Sequence, residues 1–123
     1  MITAKEILMG RDIDYPLTMG MIYNLFDLLP RVNWVRFQYG KPLIVNSGYR
    51  PVDINASVGG ANNSSHTLCM AVDFKDADGD FALWCLNSLD IIKHAGLYME
   101  SPDYTRGWVH LQSRPTNNNP FIP

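Results

Sequence analysis

SSHTLCMAVDF, residues 64–74, sets His66 seven positions before Asp73 and reaches the aspartate through an apolar run. Within it, MAVDF (70–74) is short and apolar around a single acid, and it reads as a buried strand. His110 stands 37 positions after Asp73, in WVHLQ (108–112), again between apolar neighbours on a predicted strand. A histidine on a loop entering a strand, an aspartate on that strand and a histidine on a neighbouring strand can converge. At the roughly 2.0–2.2 Å that zinc asks of imidazole nitrogen and carboxylate oxygen, they leave a fourth position for water. The spacing alone recurs by chance, and it also fits polar residues satisfied within a core.

Working outward, Thr3 and Glu6 have the spacing of a capping box, and Gly10 a stop, which predicts a short first helix. Met21, Leu25, Leu28, Val32, Val35 and Tyr39 step by four, three, four, three and four, the stripe of a long helix from Leu17 to Tyr39. Pro30 lies inside it and predicts a kink or a close restart on the same core face. LIVN (43–46) reads as a strand, SGYRP (47–51) as a turn, and residues 52–65 as a loop with one helical turn. Asp78 is a predicted N-cap for one helix from Gly79 to about His94, with Phe81, Trp84, Cys85, Leu89 and Ile92 on its apolar face. LYME (97–100) and WVHLQ are strands joined by SPDYTRG, and residues 113–123 form an extended tail without a regular pattern. The sum is an α+β fold: one domain over residues 1–123, with about four short strands in a largely antiparallel sheet and helices mainly on one face.

The bulk numbers narrow the classes. At 123 residues the chain can bury a core without disulfide staples, and Cys69 and Cys85 read as reduced thiols. A net charge near −2 gives no footprint for nucleic acid, and no apolar run approaches the roughly 20 residues of a membrane span. The N-terminal stretch MITAKEILMGRD has no long apolar core and predicts no secretory signal. Asp76, Asp78 and Asp80 alternate like a calcium loop, but the glycine, Gly79, falls at the fourth position and not the sixth, and Asn87 stands where the loop needs a glutamate, so turn and cap roles fit better. His94 sits at a predicted helix C-terminus, where an imidazole suits the dipole.

SGYR (47–50), then Asn55-x-x-Val58-Gly59-Gly60-Ala61, then Ser64-x-His66 and Ala71-x-Asp73, then WVH (108–110) together resemble the zinc D,D-carboxypeptidase and L-alanyl-D-glutamate endopeptidase family. That family includes phage endolysins and shares a fold with the hedgehog signalling domain. The resemblance implies one Zn²⁺ ion held by His66, Asp73 and His110. It implies that Arg50 holds substrate and the developing oxyanion, and that the Ser64 hydroxyl lies near the substrate. The implied reaction is metal-assisted hydrolysis, with a carboxylate carrying the proton from water to the leaving amine. The implied substrate is the peptide moiety of peptidoglycan. Trp108, two residues before a ligand, either walls the pocket or only packs; Tyr49 and Asn55 flank the arginine and are further candidates to touch substrate.

Two departures from the family pattern stand out. Cys69 replaces a glycine, either as a small buried residue or as a sulfur near the metal. Gly107 replaces the usual acidic base three positions before the last ligand. If LYME and WVHL form a hairpin with Glu100 opposite Trp108, then Glu100, Tyr98, Trp108 and His110 share a face, and Glu100 can take the base's role. A one-residue slip would turn it away. Asp103 is the second candidate. These readings give a phage-type peptidase released from the host cytoplasm at lysis or carried in a virion among other virion proteins. The rival, favoured by Gly107, is a structural virion or peptidoglycan-binding protein that keeps the fold with little chemistry. A weaker alternative is a metal that only supports folding.

Overall fold

The computed structural model describes residues 1–123. The chain begins with α1 (Ala4–Leu8), whose capping box is complete: Glu6 N–H donates to Thr3 Oγ1 at 3.2 Å, and Thr3 N–H to Glu6 Oε1 at 3.2 Å. The long helix, α2 (Met19–Tyr39), is capped by Thr18 and closed by Gly40. It runs unbroken through Pro30, so of the expected kink or close restart the restart does not occur. Its stripe does what its period requires: Leu25, Leu28, Val32 and Val35 are buried, with Met21 and Tyr39 packed against the same core.

The sheet contains β1 (Val45–Ser47), β2 (Ala71–Lys75), β3 (Tyr98–Met99) and β4 (Trp108–Gln112), in the order β1-β2-β4-β3, with every pair antiparallel. This is the expected α+β architecture. β1 starts two residues later than LIVN suggested, because Ile44 stays exposed and only its carbonyl joins the ladder, accepting from Lys75 N–H at 2.9 Å. The one helical turn expected within residues 52–65 is the helix α3 (Val52–Ser57), and Ser65–Leu68 form a 3₁₀ turn.

The predicted helix over 79–94 is two helices, α4 (Asp80–Asn87) and α5 (Leu89–His94), broken at Ser88 with φ −130° and ψ 35°. Asn87 and Ser88 have side chains that compete for backbone hydrogen bonds, a weak point in any helix. Phe81, Cys85 and Ile92 stay buried across the break. The cap also differs from expectation. Asp78 Oδ1 takes only Asp80 N–H, while buried Asp76 takes Phe81 N–H at 3.0 Å and Ala82 N–H at 2.9 Å.

Strand periodicity divides the sheet into two faces. Val72, Phe74, Met99, Val109 and Leu111 point to one, are fully buried, and join the helical residues in the core. Asp73, His110, Gln112 and Glu100 point to the other. The 3₁₀ turn and α3 lie against each other beside β2. The tail is not patternless: Phe121 pairs with Glu100 in a parallel bridge along the outer edge of β3.

SGYR is fixed from beneath by α1. Tyr49 N–H donates to Ile7 O at 2.8 Å, and a Cβ on Gly48 would collide with that same Ile7 oxygen. Backbone crosses backbone there, which only glycine permits. Gly48→Ala is therefore expected to destabilise the protein by roughly 1–3 kcal/mol through overpacking, read as a lower urea midpoint.

Candidate metal centre

The three predicted ligands arrive by three routes. Asp73 and His110 are direct partners across β2 and β4. His66 comes from the 3₁₀ turn, which Ser64 caps by accepting His66 N–H at 3.2 Å. The turn is tied to SGYR by Arg50 N–H donating to His66 O at 3.1 Å. It ends at Cys69 with φ 59°, a left-handed conformation. This explains a glycine in the family pattern there. Cys69 adopts the angle anyway, with its side chain fully buried in the hydrophobic core. Burial pushes the thiol up to about 12, and the sulfur lies outside the group of converging ligand atoms, so Cys69 is a packing group.

His66, Asp73 and His110 are all buried, and one ligand atom from each lies within 4.8 Å of the others. His66 Nε2 is 3.2 Å and His110 Nδ1 is 2.8 Å from the same oxygen, Asp73 Oδ1. The far side of each ring is committed. His66 Nδ1 is 2.8 Å from Gly48 O, an acceptor only, so this nitrogen carries the proton and donates. His110 Nε2 is 2.8 Å from Gln112 Oε1, and Gln112 Nε2–H donates to Arg114 O at 2.9 Å, which turns the amide oxygen toward the ring. The inner nitrogens of both rings, His66 Nε2 and His110 Nδ1, thus face one carboxylate and are the atoms left to ligate a metal. Acceptors gathered in this way fit a cation between them, and outer hydrogen bonds of this kind are what orient metal-ligating histidines. The three residues fit a metal such as zinc.

Without metal, a proton takes the cation's place. Burial works against the charged form of His110, but the hydrogen bond and charge of Asp73 outweigh it, so its pKa is raised. Burial likewise disfavours the Asp73 carboxylate, yet hydrogen bonds and charge from His110 and His66 outweigh that and hold it well below the usual carboxylate range.

Around the triad is a cleft of about 200 Å³ lined by Arg50, Ala61, Ser64, Glu100 and Trp108 together with the three ligands. All the residues expected at the site except Asp103, Tyr49 and Asn55 therefore meet in one place. Asp103 is exposed on the Pro102–Tyr104 turn and does not line the cleft. Glu100 arrives through a register different from the one assumed: Tyr98 pairs with Gln112 and Met99 with Leu111, which sets Glu100 opposite His110, not Trp108. A slip of two residues preserves the face, so the side chain still reaches the cleft. Burial raises the Glu100 pKa, with His110 lowering it and Asp73 raising it.

Gly107 has φ +90°, a backbone an L side chain rarely adopts, so the path into β4 disfavours an acid there. Tyr49 belongs to the core, its hydroxyl donating to Tyr15 O at 3.2 Å, and buried Asn55 Nδ2–H donates to Ala61 O at 2.9 Å. Both are scaffold, not cleft. Gln112 escaped the sequence reading; its signal was its place two residues after His110, on the same strand face.

A four-stranded antiparallel sheet carrying a His-Asp-His group in a polar cleft defines a metal-dependent hydrolase type of centre. The chain belongs to the peptidase M15 family: the family model described as Peptidase M15 matches residues 8–112, from the end of α1 to the end of β4. No curated protein and no solved structure gives a significant match. Peptidases of this family are typically zinc-dependent, which agrees with a buried triad able to bind a metal. No helix is long and apolar enough to cross a membrane.

Gln112→Leu removes the acceptor that fixes the His110 tautomer and should weaken zinc binding about 10- to 100-fold, measured by chelator competition. A pH effect follows from His110. An imidazole with a raised folded pKa stabilises the protein fully below its unfolded value, near 6.5, and that contribution is lost as the pH climbs through the raised value. The thermal midpoint of metal-free protein should fall across this window. Added zinc should reverse the trend, because the ligand nitrogens must then be unprotonated.

Proposed function

We propose that this protein is a zinc-dependent peptidase that hydrolyses peptide bonds in peptidoglycan stem peptides or cross-bridges, phage-derived and acting at host lysis or from a virion. The observation that carries this reading is the convergence of Arg50, Ser64, Glu100 and Trp108 on the cleft that holds His66, Asp73 and His110. His66 Nε2, His110 Nδ1 and the Asp73 carboxylate would hold one Zn²⁺ ion, which when bound supplies Lewis acidity toward a water and a peptide carbonyl.

The chain's own groups do the remainder. Glu100 takes the proton from the attacking water and delivers it to the leaving amine; a carboxylate whose pKa is raised by burial suits both halves of that task. Arg50 Nε is buried and has no hydrogen-bond partner. Its guanidinium is thus left with donors for a substrate carboxylate or an oxyanion, and stem peptides carry such free carboxylates. The Ser64 oxygen accepts His66 N–H and keeps its own proton to donate toward substrate. Trp108 forms an apolar wall beside His110.

The second reading, a virion or wall-binding protein with little turnover, draws its support from Gly107 in the position of the family's usual base. Zymography on purified peptidoglycan separates the two, with His66→Ala as the metal-free control. Zinc-dependent clearing is expected from the native chain. Glu100→Gln should retain zinc and lose turnover by about 10²- to 10⁴-fold. Near-normal turnover with retained zinc would remove Glu100 from the mechanism. Mass spectrometry of products from defined muropeptides identifies the bond.

A further inference from the structure

The segment after β4 does more than leave the domain. Gln112 reaches back to the His110 ring, and Ser113 N–H donates to Met70 O at 2.9 Å. Arg114 Nη1–H donates to Asn63 O at 2.8 Å, one residue before Ser64 and three before His66. The chain then turns and runs along the free edge of β3. Asn119 binds this edge with both ends of its amide: Oδ1 accepts Met99 N–H at 2.9 Å, and Nδ2–H donates to Leu97 O at 2.9 Å. Phe121 N–H donates to Met99 O at 2.8 Å, and Ser101 N–H donates to Phe121 O at 2.7 Å. Glu100 is thereby held by backbone bonds on the residues either side of it. The Phe121 ring meets the His110 ring in a T-shaped contact at 5.9 Å, interplanar angle 82°.

We propose that residues 113–121 form a positioning strap for the metal centre, with Phe121 setting the orientation of His110 and Asn119 setting the strand that presents Glu100. The strap lies beyond residues 8–112, which the family model matches. β3 is two residues long and pairs only with β4 in the sheet, where Glu100 N–H donates to His110 O at 3.2 Å, so the strap supplies the bonds on the opposite edge of its Glu100 end. The aromatic edge contact adds a packing restraint to a ring whose two nitrogens are already held by Asp73 and Gln112. The role of Glu100 rests on the proposed function; the role of His110 needs only that the triad binds metal.

The test uses the full chain with single substitutions. Phe121→Ala should weaken zinc binding about ten-fold in chelator competition, and Phe121→Tyr, which keeps the ring, should restore it. Asn119→Ala should leave zinc affinity unchanged and lower kcat with little change in KM, a split that general destabilisation would not produce. Native zinc affinity in Phe121→Ala overturns the His110 half of the proposal, and so does equal weakening in Phe121→Tyr. Unchanged kcat in Asn119→Ala overturns the Glu100 half. If the native chain hydrolyses no muropeptide, the proposed function fails and the Glu100 half is overturned with it, while the zinc measurements still decide on Phe121.

Discussion

One carboxylate oxygen, Asp73 Oδ1, faces two buried imidazole nitrogens at 3.2 and 2.8 Å, and much of the architecture keeps it there. Like-natured acceptors do not gather in a dry place without a cation or a proton between them. The β2–β4 register sets Asp73 directly opposite His110, and the capped 3₁₀ turn brings His66 to the same oxygen. Gly48 O and Gln112 Oε1 then choose the tautomers from behind. Gly48 in turn depends on α1, whose Ile7 backbone passes where any side chain at that position would sit. A short N-terminal helix, far from the triad in sequence, is thus part of its support.

The sheet separates stability from chemistry by the simplest available rule, the alternation of side chains along a strand. Val72, Phe74, Val109 and Leu111 are buried among the helices, while their immediate neighbours Asp73 and His110 face the cleft. Binding groups held on strands keep their geometry better than groups on loops. Arg50 and Ser64 approach from the turns and are tied there to His66, through Arg50 N–H to His66 O and His66 N–H to Ser64 Oγ. Glu100 lies at the end of a very short strand, and its placement draws on the outer strap as well as on β4.

Much of this was legible in the order of residues. The stripe of α2, the capping box of α1 and the strands around Asp73 and His110 follow from local periodicity and end signals, which a linear chain displays directly. His66, Asp73, His110, Arg50, Ser64 and Trp108 could be singled out because residue type and spacing carry their chemistry. The break at Ser88 was missed because weak local preferences there are settled by packing.

Other features belonged to the folded chain alone. Whether Glu100 or Asp103 reaches the cleft turns on strand register, and register depends on pairing between segments that no local pattern specifies. Gln112 and Phe121 look like ordinary strand and tail residues until the hydrogen bond and ring contact to His110 bring them together. Residue order determined which groups could hold a metal, because donor chemistry resides in side chains. The tertiary structure decided which nitrogen of each ring is offered and which acid stands beside it, because those depend on distances between parts of the chain remote in sequence.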